Sequence, residues 1–392
     1  MNKILFFLLV LIAPSAIAQI TIDGVLKDVN TQEPVEAATI SADGSNSMTI
    51  SNVEGHFRII LPEGSKSITI SHLSYKTYTT QVNPQGKDLE VFLEPSGIEL
   101  EEVVVANKPV NEILGDIVDN SKKHLEKALL LNTYFREFVK VNNSYTKFAD
   151  GLLDYYVKRK SGASDLYVKQ SRSFRLKEVG TEGDNKQLID ALYLFDVRDA
   201  ITYSYGFKSI TRLLSDKNYD YQLKMRKDKE GRSVEIITVI PKPGITEMML
   251  TATVVYDPVK KLILDMDIKY SEEHKKYSKE RNLIIFKFTL LDAARKTSFK
   301  IDGDKYILTY NKTHANFHVK MKNRLDDTFE FLSDNVVMDY KEGEFELDKS
   351  KRYKEKSLFA AGTNFTTEYW KTSNALLLTD AEEKIIKSFE KN

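Results

Sequence analysis

Leu262-Ile263-Leu264-Asp265-Met266-Asp267-Ile268-Lys269-Tyr270 alternates apolar and polar residues with a period of two. On an extended chain Leu262, Leu264, Met266, Ile268 and Tyr270 share one face, while Asp265, Asp267 and Lys269 share the other. That is a half-buried strand of an antiparallel sheet. An Asp257-Pro258 turn joins it to an upstream strand at 251–256. The pattern spreads outward from this hairpin. Aromatic-rich strands at 133–141 and 145–157 flank Asn142-Asn143, a hairpin turn pair. Further strands are expected at 219–226, 233–241, 282–290, 298–302, 305–310, 313–321 and 328–340. Helical spacing appears at 187–200 (Leu188, Ile189, Leu192, Leu194, Phe195), around Ile210, Leu213 and Leu214, and at 381–389 behind a Thr379 or Asp380 cap. The expectation is a large curved antiparallel sheet with helices on its concave side.

Upstream, residues 20–95 alternate turn signals with short period-2 runs. Strands are expected at 20–26, 35–41, 48–51, 57–61, 67–71, 75–82 and 89–93, separated by Glu33-Pro34, Asp43-Gly44, Glu54-Gly55 and Glu63-Gly64. With no helical period among them, they fit a β-sandwich of two sheets. The fold class is therefore mainly β with helical insertions: an N-terminal seven-stranded sandwich, then a helix, then the large sheet.

Three stretches carry a family resemblance: Gly24-Val25-Leu26 with Gln32-Glu33-Pro34-Val35 and Ala37-Ala38-Thr39-Ile40; Asn52-Val53-Glu54-Gly55-His56-Phe57; and Ile70-Ser71-His72-Leu73-Ser74-Tyr75-Lys76. The combination resembles the carboxypeptidase-regulatory-like domain, a transthyretin-like sandwich found at the N-terminus of exported proteins and TonB-dependent receptors of Gram-negative bacteria. The resemblance implies an accessory module without peptidase chemistry. One position departs from it: the family's Gly before the Tyr of the last motif is Ser74 here. Tyr134-Phe135-Arg136-Glu137-Phe138, Tyr256-Asp257-Pro258 and Tyr369-Trp370 resemble the region C-terminal to the sandwich in other exported envelope proteins. The sheet-with-insertions layout resembles the lipoprotein-carrier fold in architecture alone.

The first residues read as an address. Met1-Asn2-Lys3 is a basic start, Ile4 to Ala13 is an unbroken apolar run, and Ala16-Ile17-Ala18 is a small-x-small cleavage site. This is the layout of a secretory signal peptide. The apolar run is about half the ~20 residues a membrane-spanning helix needs. The expected organisation is a signal peptide at 1–18, the sandwich at 19–96, a linker and amphipathic helix at 97–132, and the antiparallel domain at 133–392. The mature chain is expected to lack a transmembrane helix and to be periplasmic or peripherally attached to the outer membrane.

Charge and cysteine content exclude several chemistries. Lys+Arg 57 against Asp+Glu 57 gives a net charge of +0, so nothing draws the chain to nucleic acid. With no cysteine, disulfides, thiolate nucleophiles, Cys-ligated zinc and N-terminal Cys lipidation are all excluded.

Residues Leu100-Glu101-Glu102-Val103-Val104-Val105 form an acidic-then-β-branched run. In receptors bearing this sandwich, a similar stretch precedes the plug domain. A plug and long barrel do not fit the 392-residue length, so the chain is not expected to be a receptor. As an extended strand, the run could dock on a partner's sheet edge. The competing reading is an ordinary strand on this protein's own second domain. A helix is expected next at 109–129, capped by Asn107, with His124 on its charged side.

No residue set reads as catalytic, cofactor-binding or metal-ligating. His314 and His318 lie about 13 Å apart on a strand, too far to share one ion. They share a polar face with Lys312, Asn316, Lys320 and Lys322. Asp265 and Asp267 lie on a polar strand face, and Glu272, Glu273 and His274 in a charged loop. His56 and His72 lack a helix-borne zinc motif. No nucleophile elbow, phosphate loop or dinucleotide fingerprint is present. The sequence therefore reads as a non-enzymatic binding or scaffolding protein of the envelope that takes an envelope protein or amphiphilic ligand as partner. The alternative is an envelope hydrolase with a site assembled from scattered residues.

Overall fold

Seven strands occupy the N-terminal region: β1 (Ile20–Asp28), β2 (Thr39–Ala42), β3 (Met48–Ile50), β4 (His56–Leu61), β5 (Ser67–His72), β6 (Tyr75–Gln81) and β7 (Leu89–Leu93). They form two sheets, ordered β4-β1-β7 and β3-β2-β5-β6. Leu26, Ile40, Phe57, Ile59, Ile68, Ile70 and Val91 fill the core between them. The second strand starts later than its apolar pattern suggests. Ala37 has φ 61°, which breaks the extended run, although Val35 is buried. Ser74 fits its turn at a negative φ, and its N–H donates to His72 Nδ1 at 3.1 Å.

In this computed structural model the described residues are 20–82, 88–96, 98–103, 106–125, 127–159, 163–175, 195–228, 233–283, 286–322, 324–364 and 373–390. The signal peptide, most of the helix expected at 187–200, Val104, Val105 and Tyr369-Trp370 lie outside them.

After the sandwich come β8 (Ile98–Val103) and the helix α1 (Val110–Lys123). Three strands follow, β9 (Leu129–Val141), β10 (Ser144–Val157) and β11 (Ser164–Arg175), then two short helices, α2 (Asp199–Gly206) and α3 (Lys208–Leu214). The remaining strands are β12 (Tyr219–Asp228), β13 (Ser233–Pro241), β14 (Leu250–Asp257), β15 (Leu262–Tyr270), β16 (Arg281–Leu283), β17 (Phe286–Asp302), β18 (Lys305–Met321) and β19 (Leu325–Glu342), and α4 (Asp380–Glu390) closes the chain. One sheet of twelve strands runs β11-β10-β9-β19-β18-β17-β15-β14-β13-β12-β8, with β16 paired to β17.

Local chemistry accounts for most boundaries. Asn142 (φ 48°) and Asn143 (φ 65°) make the β9–β10 turn, and two consecutive positive φ values are what a two-residue hairpin requires. The helix α1 starts without a side-chain cap, with Pro109 at the N-cap position in place of the expected Asn107. It also ends at Lys123. Leu129 continues the helical spacing but pairs with Val157 and Glu342 as the first residue of β9. In β15 a bulge skips Leu264 between the pairs Val255–Asp265 and Tyr256–Ile263. Ile263 is thereby fully buried in place of Leu264.

The two faces of the large sheet have different cover. On one, Leu114, Ile117, Ile201, Tyr205, Ile210 and Leu213 of the three helices pack into a single core with Ile237, Val254, Ile263, Met266 and Leu308. The other face carries the sandwich and the C-terminal segment. Ile50 packs there with Tyr134, Leu152, Tyr310, Val336 and Leu376. Asn374 fastens the contact. Its Oδ1 accepts the Ile60 N–H at 2.6 Å, and its Nδ2 donates to Ser47 Oγ at 2.7 Å.

The same face holds a buried ionic network. Arg136 donates to Asp334 at 2.7 Å and to Glu382 at 2.8 Å. Glu382 also accepts the Thr379 N–H at 2.8 Å while its own N–H donates to Thr379 Oγ1 at 3.2 Å. This reciprocal capping box starts α4. Among the described residues, no helix is long and apolar enough to cross a membrane.

Candidate functional site

The helix-side face of the central strands carries two adjacent polar rungs. Pairing places Arg295 opposite Thr313, Thr313 opposite Ser333 and Ser333 opposite Glu137. The next rung runs Thr297, Asn311, Asn335 and Phe135. Thr297, Asn311, Asn335 and Glu137 are buried. Most of these polar groups are satisfied. Asn311 Nδ2 donates to Thr297 Oγ1 at 3.0 Å and to Ser204 Oγ at 3.2 Å. Glu137 accepts from Ser357 Oγ at 2.7 Å and from the Phe359 N–H at 2.9 Å. Asn335 is the exception, because both its side-chain amide atoms are buried without a hydrogen-bond partner. Such a group costs on the order of 1–3 kcal/mol.

Over the Arg295 rung lies the segment that leads into α2. The Phe195 ring stacks on Phe331 with centroids 4.6 Å apart. Val197 is held at both backbone groups, its N–H by Lys356 O at 2.7 Å and its C=O by the Tyr155 hydroxyl at 2.9 Å. Arg198 pairs with Asp196 at 2.8 Å and donates to Tyr353 O at 3.0 Å. Between this segment and the sheet is a small solvent-open pocket with a cavity volume of about 10 Å³. Phe135, Phe195, Phe331, Val197 and Ala200 supply its apolar lining, and Arg295, Asp196, Asp199, Thr313 and Ser333 its polar lining.

Three charged side chains line the pocket: Arg295, Asp199 and Asp196, the last paired with Arg198. The Arg295 guanidinium lies over the Tyr203 ring, 3.9 Å from its centroid, and Nε donates to Thr313 Oγ1 at 3.3 Å. No carboxylate among the described residues lies within ion-pair distance of it. Burial lowers its pKa, an effect that Tyr203 and Asp199 only partly offset. Burial also raises the Asp199 carboxyl above its ordinary value, against the opposing effects of the Asp196 N–H and the Arg295 charge. The contact of Asp199 is with that backbone N–H, at 3.3 Å.

The residues singled out in the sequence lie elsewhere. His314 pairs with Glu330 at 3.1 Å and His318 with Asp326 at 2.9 Å, so the two imidazoles address different carboxylates. Among the described residues no group of three or more His, Asp or Glu side chains could hold a metal. Their strand face is not simply solvated, since Lys312 pairs with Glu36 of the sandwich at 2.9 Å. Asp265 accepts from Ser298 Oγ at 2.7 Å and is raised by burial. His274 bonds Ser271 at 2.9 Å within its charged turn. His124 caps the end of α1, its Nδ1 3.2 Å from Asn120 O. His56 is exposed at the start of β4.

Of the run Leu100, Glu101, Glu102, Val103, Val104 and Val105, the first four belong to β8. That strand pairs antiparallel with β12 and ends the twelve-stranded sheet. Those four residues thus belong to a strand of the chain's own second sheet, while Val104 and Val105 lie outside the described residues.

Sequence inspection missed Arg295, Asp199, Ser333 and Asn335. A signal was present in Ala294-Arg295-Lys296-Thr297-Ser298 and Ser333-Asp334-Asn335. Each is a run of consecutive polar or small residues inside a strand, and a strand with one apolar face cannot be polar at successive positions.

Residues 22–105 match the family model described as the CarboxypepD_reg-like domain. That match extends through β8, which the fold assigns to the second sheet. No curated protein sequence matches the chain. Among solved structures, 67% of the chain aligns with lipovitellin, in a structure described as lipid–protein interactions in lipovitellin, at 8% identity and a TM-score of 0.26. The aligned part spans 30% of that protein. A LolA superfamily protein, NE2245 from Nitrosomonas europaea, aligns over 61% of this chain and 97% of its own, at 9% identity and a TM-score of 0.24.

Proposed function

We propose that this chain is a non-catalytic binding protein of the cell envelope. Its regulatory-like sandwich is an accessory module fixed to one face of the large sheet, and a small ligand is held in the pocket on the other. The observation that carries this reading is the polar rung beneath the pocket. A strand interior facing a helix layer is normally apolar. Here it presents Arg295, Thr313 and Ser333 to a solvent-open pocket walled by aromatic rings.

The hydrolase alternative would use Asp199, the pocket carboxyl raised by burial. A general acid or base needs a partner that orients it or relays its proton. Asp199 is held instead by a backbone N–H, and Asp196 is committed to Arg198. Recognition by a fixed pocket accounts for these groups without a reaction.

The test is a thermal melt with and without the low-molecular-weight fraction extracted from the envelope of the producing cells. The reading predicts a rise of several degrees that disappears when Ser333→Phe fills the pocket. Consumption of extract components by the wild-type protein, with no rise in melting temperature, would favour the hydrolase.

A further inference from the structure

We infer that residues 373–386 form a clasp that holds the sandwich against the large sheet, and that opening the clasp lets the sandwich swing on the link between β7 and β8. The inference is independent of the pocket, which lies on the other face of that sheet. The chain passes from β7, ending at Leu93, to β8, starting at Ile98, so the covalent link is short. A second attachment is needed to fix the angle between the two bodies. The direct polar ties are slight. Lys312 and Glu36 pair at 2.9 Å, but both are about a third or more exposed, and such pairs add little. Asn46 donates to Tyr340 O at 2.9 Å. Apolar contact runs through the short strand β3, whose Met48 and Ile50 meet the sheet.

The C-terminal segment supplies the second attachment. Asn374 bonds Ile60 of edge strand β4 and Ser47, and Ser47 Oγ in turn donates to Ile60 O at 3.2 Å. Thr49 Oγ1 donates to Asn374 O at 3.1 Å, and Asn52 Nδ2 to Leu377 O at 3.3 Å. The Asp380 N–H donates to Glu54 at 3.1 Å. The same segment grips the sheet through Leu376 on Tyr134 and Val336, Glu382 on Arg136, and Ile386 on Phe138 and Phe148. Placement gives the Asn374 contact leverage. Ile60 pairs with Thr21 at the start of β1, whereas Leu93 pairs with Asp28 at its end. Link and clasp thus hold the sandwich roughly 20 Å apart along that strand.

The two grips differ in kind. The sandwich side is dominated by neutral hydrogen bonds of Ser47, Thr49, Asn52 and Asn374. When such a contact opens, each group trades its partner for water at small net cost. The sheet side buries Ile386 and the Arg136 ion pair, whose separation is costly. The clasp therefore stays on the sheet and lets go of the sandwich. The swing uncovers the sheet face beneath, where Lys312 lies with Lys296 and Arg226, whose charges act on His72 across the interface.

The experiment measures the distance between two spin labels on the full chain by double electron–electron resonance. The chain has no cysteine, so Glu63→Cys in the sandwich and Glu273→Cys in the large sheet, both exposed positions, are labelled alone. The clasp variant adds Asn52→Asp and Asn374→Ala. Asn52→Asp keeps the oxygen that accepts the Glu54 and His56 N–H groups at 3.0 and 2.9 Å, and neither change touches Arg136. The expected result is one narrow distance distribution with the native clasp. In the clasp variant it should broaden roughly twofold or more while far-UV circular dichroism is unchanged. Lys312→Ala, which removes a direct tie, should leave it narrow. Should the double change prevent folding, Asn374→Ala alone decides, with a smaller broadening expected.

A distribution already broad with the native clasp, one that stays narrow in the folded clasp variant, or one that Lys312→Ala broadens as much would each overturn the inference.

Discussion

Arg136 Nε donates to Asp334 Oδ2 at 2.7 Å across the β9–β19 pair, with both side chains almost fully buried. Tyr310 donates to the other Asp334 oxygen at 2.5 Å, and Arg136 reaches on to Glu382 in the capping box of α4. One guanidinium therefore links two central strands to the C-terminal helix. Burial alone would raise the Asp334 carboxyl, but the Arg136 charge and the Tyr310 hydroxyl bring it below its ordinary value of 3.8.

Arg136→Met should destabilise the chain by about 3–5 kcal/mol, because it strands two carboxylates in a desolvated site. The pH dependence should also change sense. In the wild type the folded pKa of Asp334 lies below the unfolded one. Its contribution is therefore present above the unfolded value and lost as pH falls through the folded value. Without Arg136, burial raises the carboxyl, so the variant should be less destabilised at pH 4 than at pH 7. Urea unfolding at both pH values checks this.

His72 gives a second pH signature. Burial first, and then the charges of Lys296 and Arg226, lower it to about 4. Both charged residues are on the large sheet, so the histidine lies where the sandwich meets it. The unfolded state binds the proton more readily, at an ordinary 6.5. Stability should therefore fall as pH drops from about 6.5 towards about 4. His72→Phe should flatten the melting temperature across that window, and an unaltered slope would place the effect elsewhere.

Gly55 sits at φ 77°, and a Cβ there would lie 2.4 Å from Leu26 O. Gly55→Ala should cost about 2 kcal/mol or more, from left-handed strain and overpacking together. The loss should appear in residues 19–96 expressed alone as well as in the full chain, since the strands involved pair within the sandwich.

Strand β8 makes its ladder with β12. Successive N–H groups along a strand point to opposite sides, so proline at both Glu101 and Glu102 must remove at least one donor towards β12. The double variant should lose about 1–2 kcal/mol and retain whatever envelope partners cross-link to the wild type. Unchanged stability with lost partners would instead make this strand a docking element.

The sequence disclosed the strands wherever one face was apolar and the other polar. All seven sandwich strands, the Asn142-Asn143 hairpin and the 262–270 strand were legible for that reason. Edge strand β11 was not, because it alternates weakly: Leu166 is buried, but Lys169, Gln170 and Arg172 interrupt the apolar rhythm. The α1 boundary was blurred because Leu125, Ala128 and Leu129 satisfy both a helical and a strand-entry spacing. The pocket was the hardest to foresee. Arg295 and Ser333 are 38 positions apart in sequence, and Asp199 lies 96 positions before Arg295 and 134 before Ser333. Only the β17–β18–β19 register brings the rung together.

The central claim is that the pocket above the Arg295–Thr313–Ser333 rung holds a small molecule. Native mass spectrometry of the protein purified gently from the cells that make it tests this most directly. The account predicts a one-to-one small-molecule adduct on the wild type that is absent from Ser333→Phe. An adduct equally present on Ser333→Phe, or a wild-type protein that carries none, would contradict it.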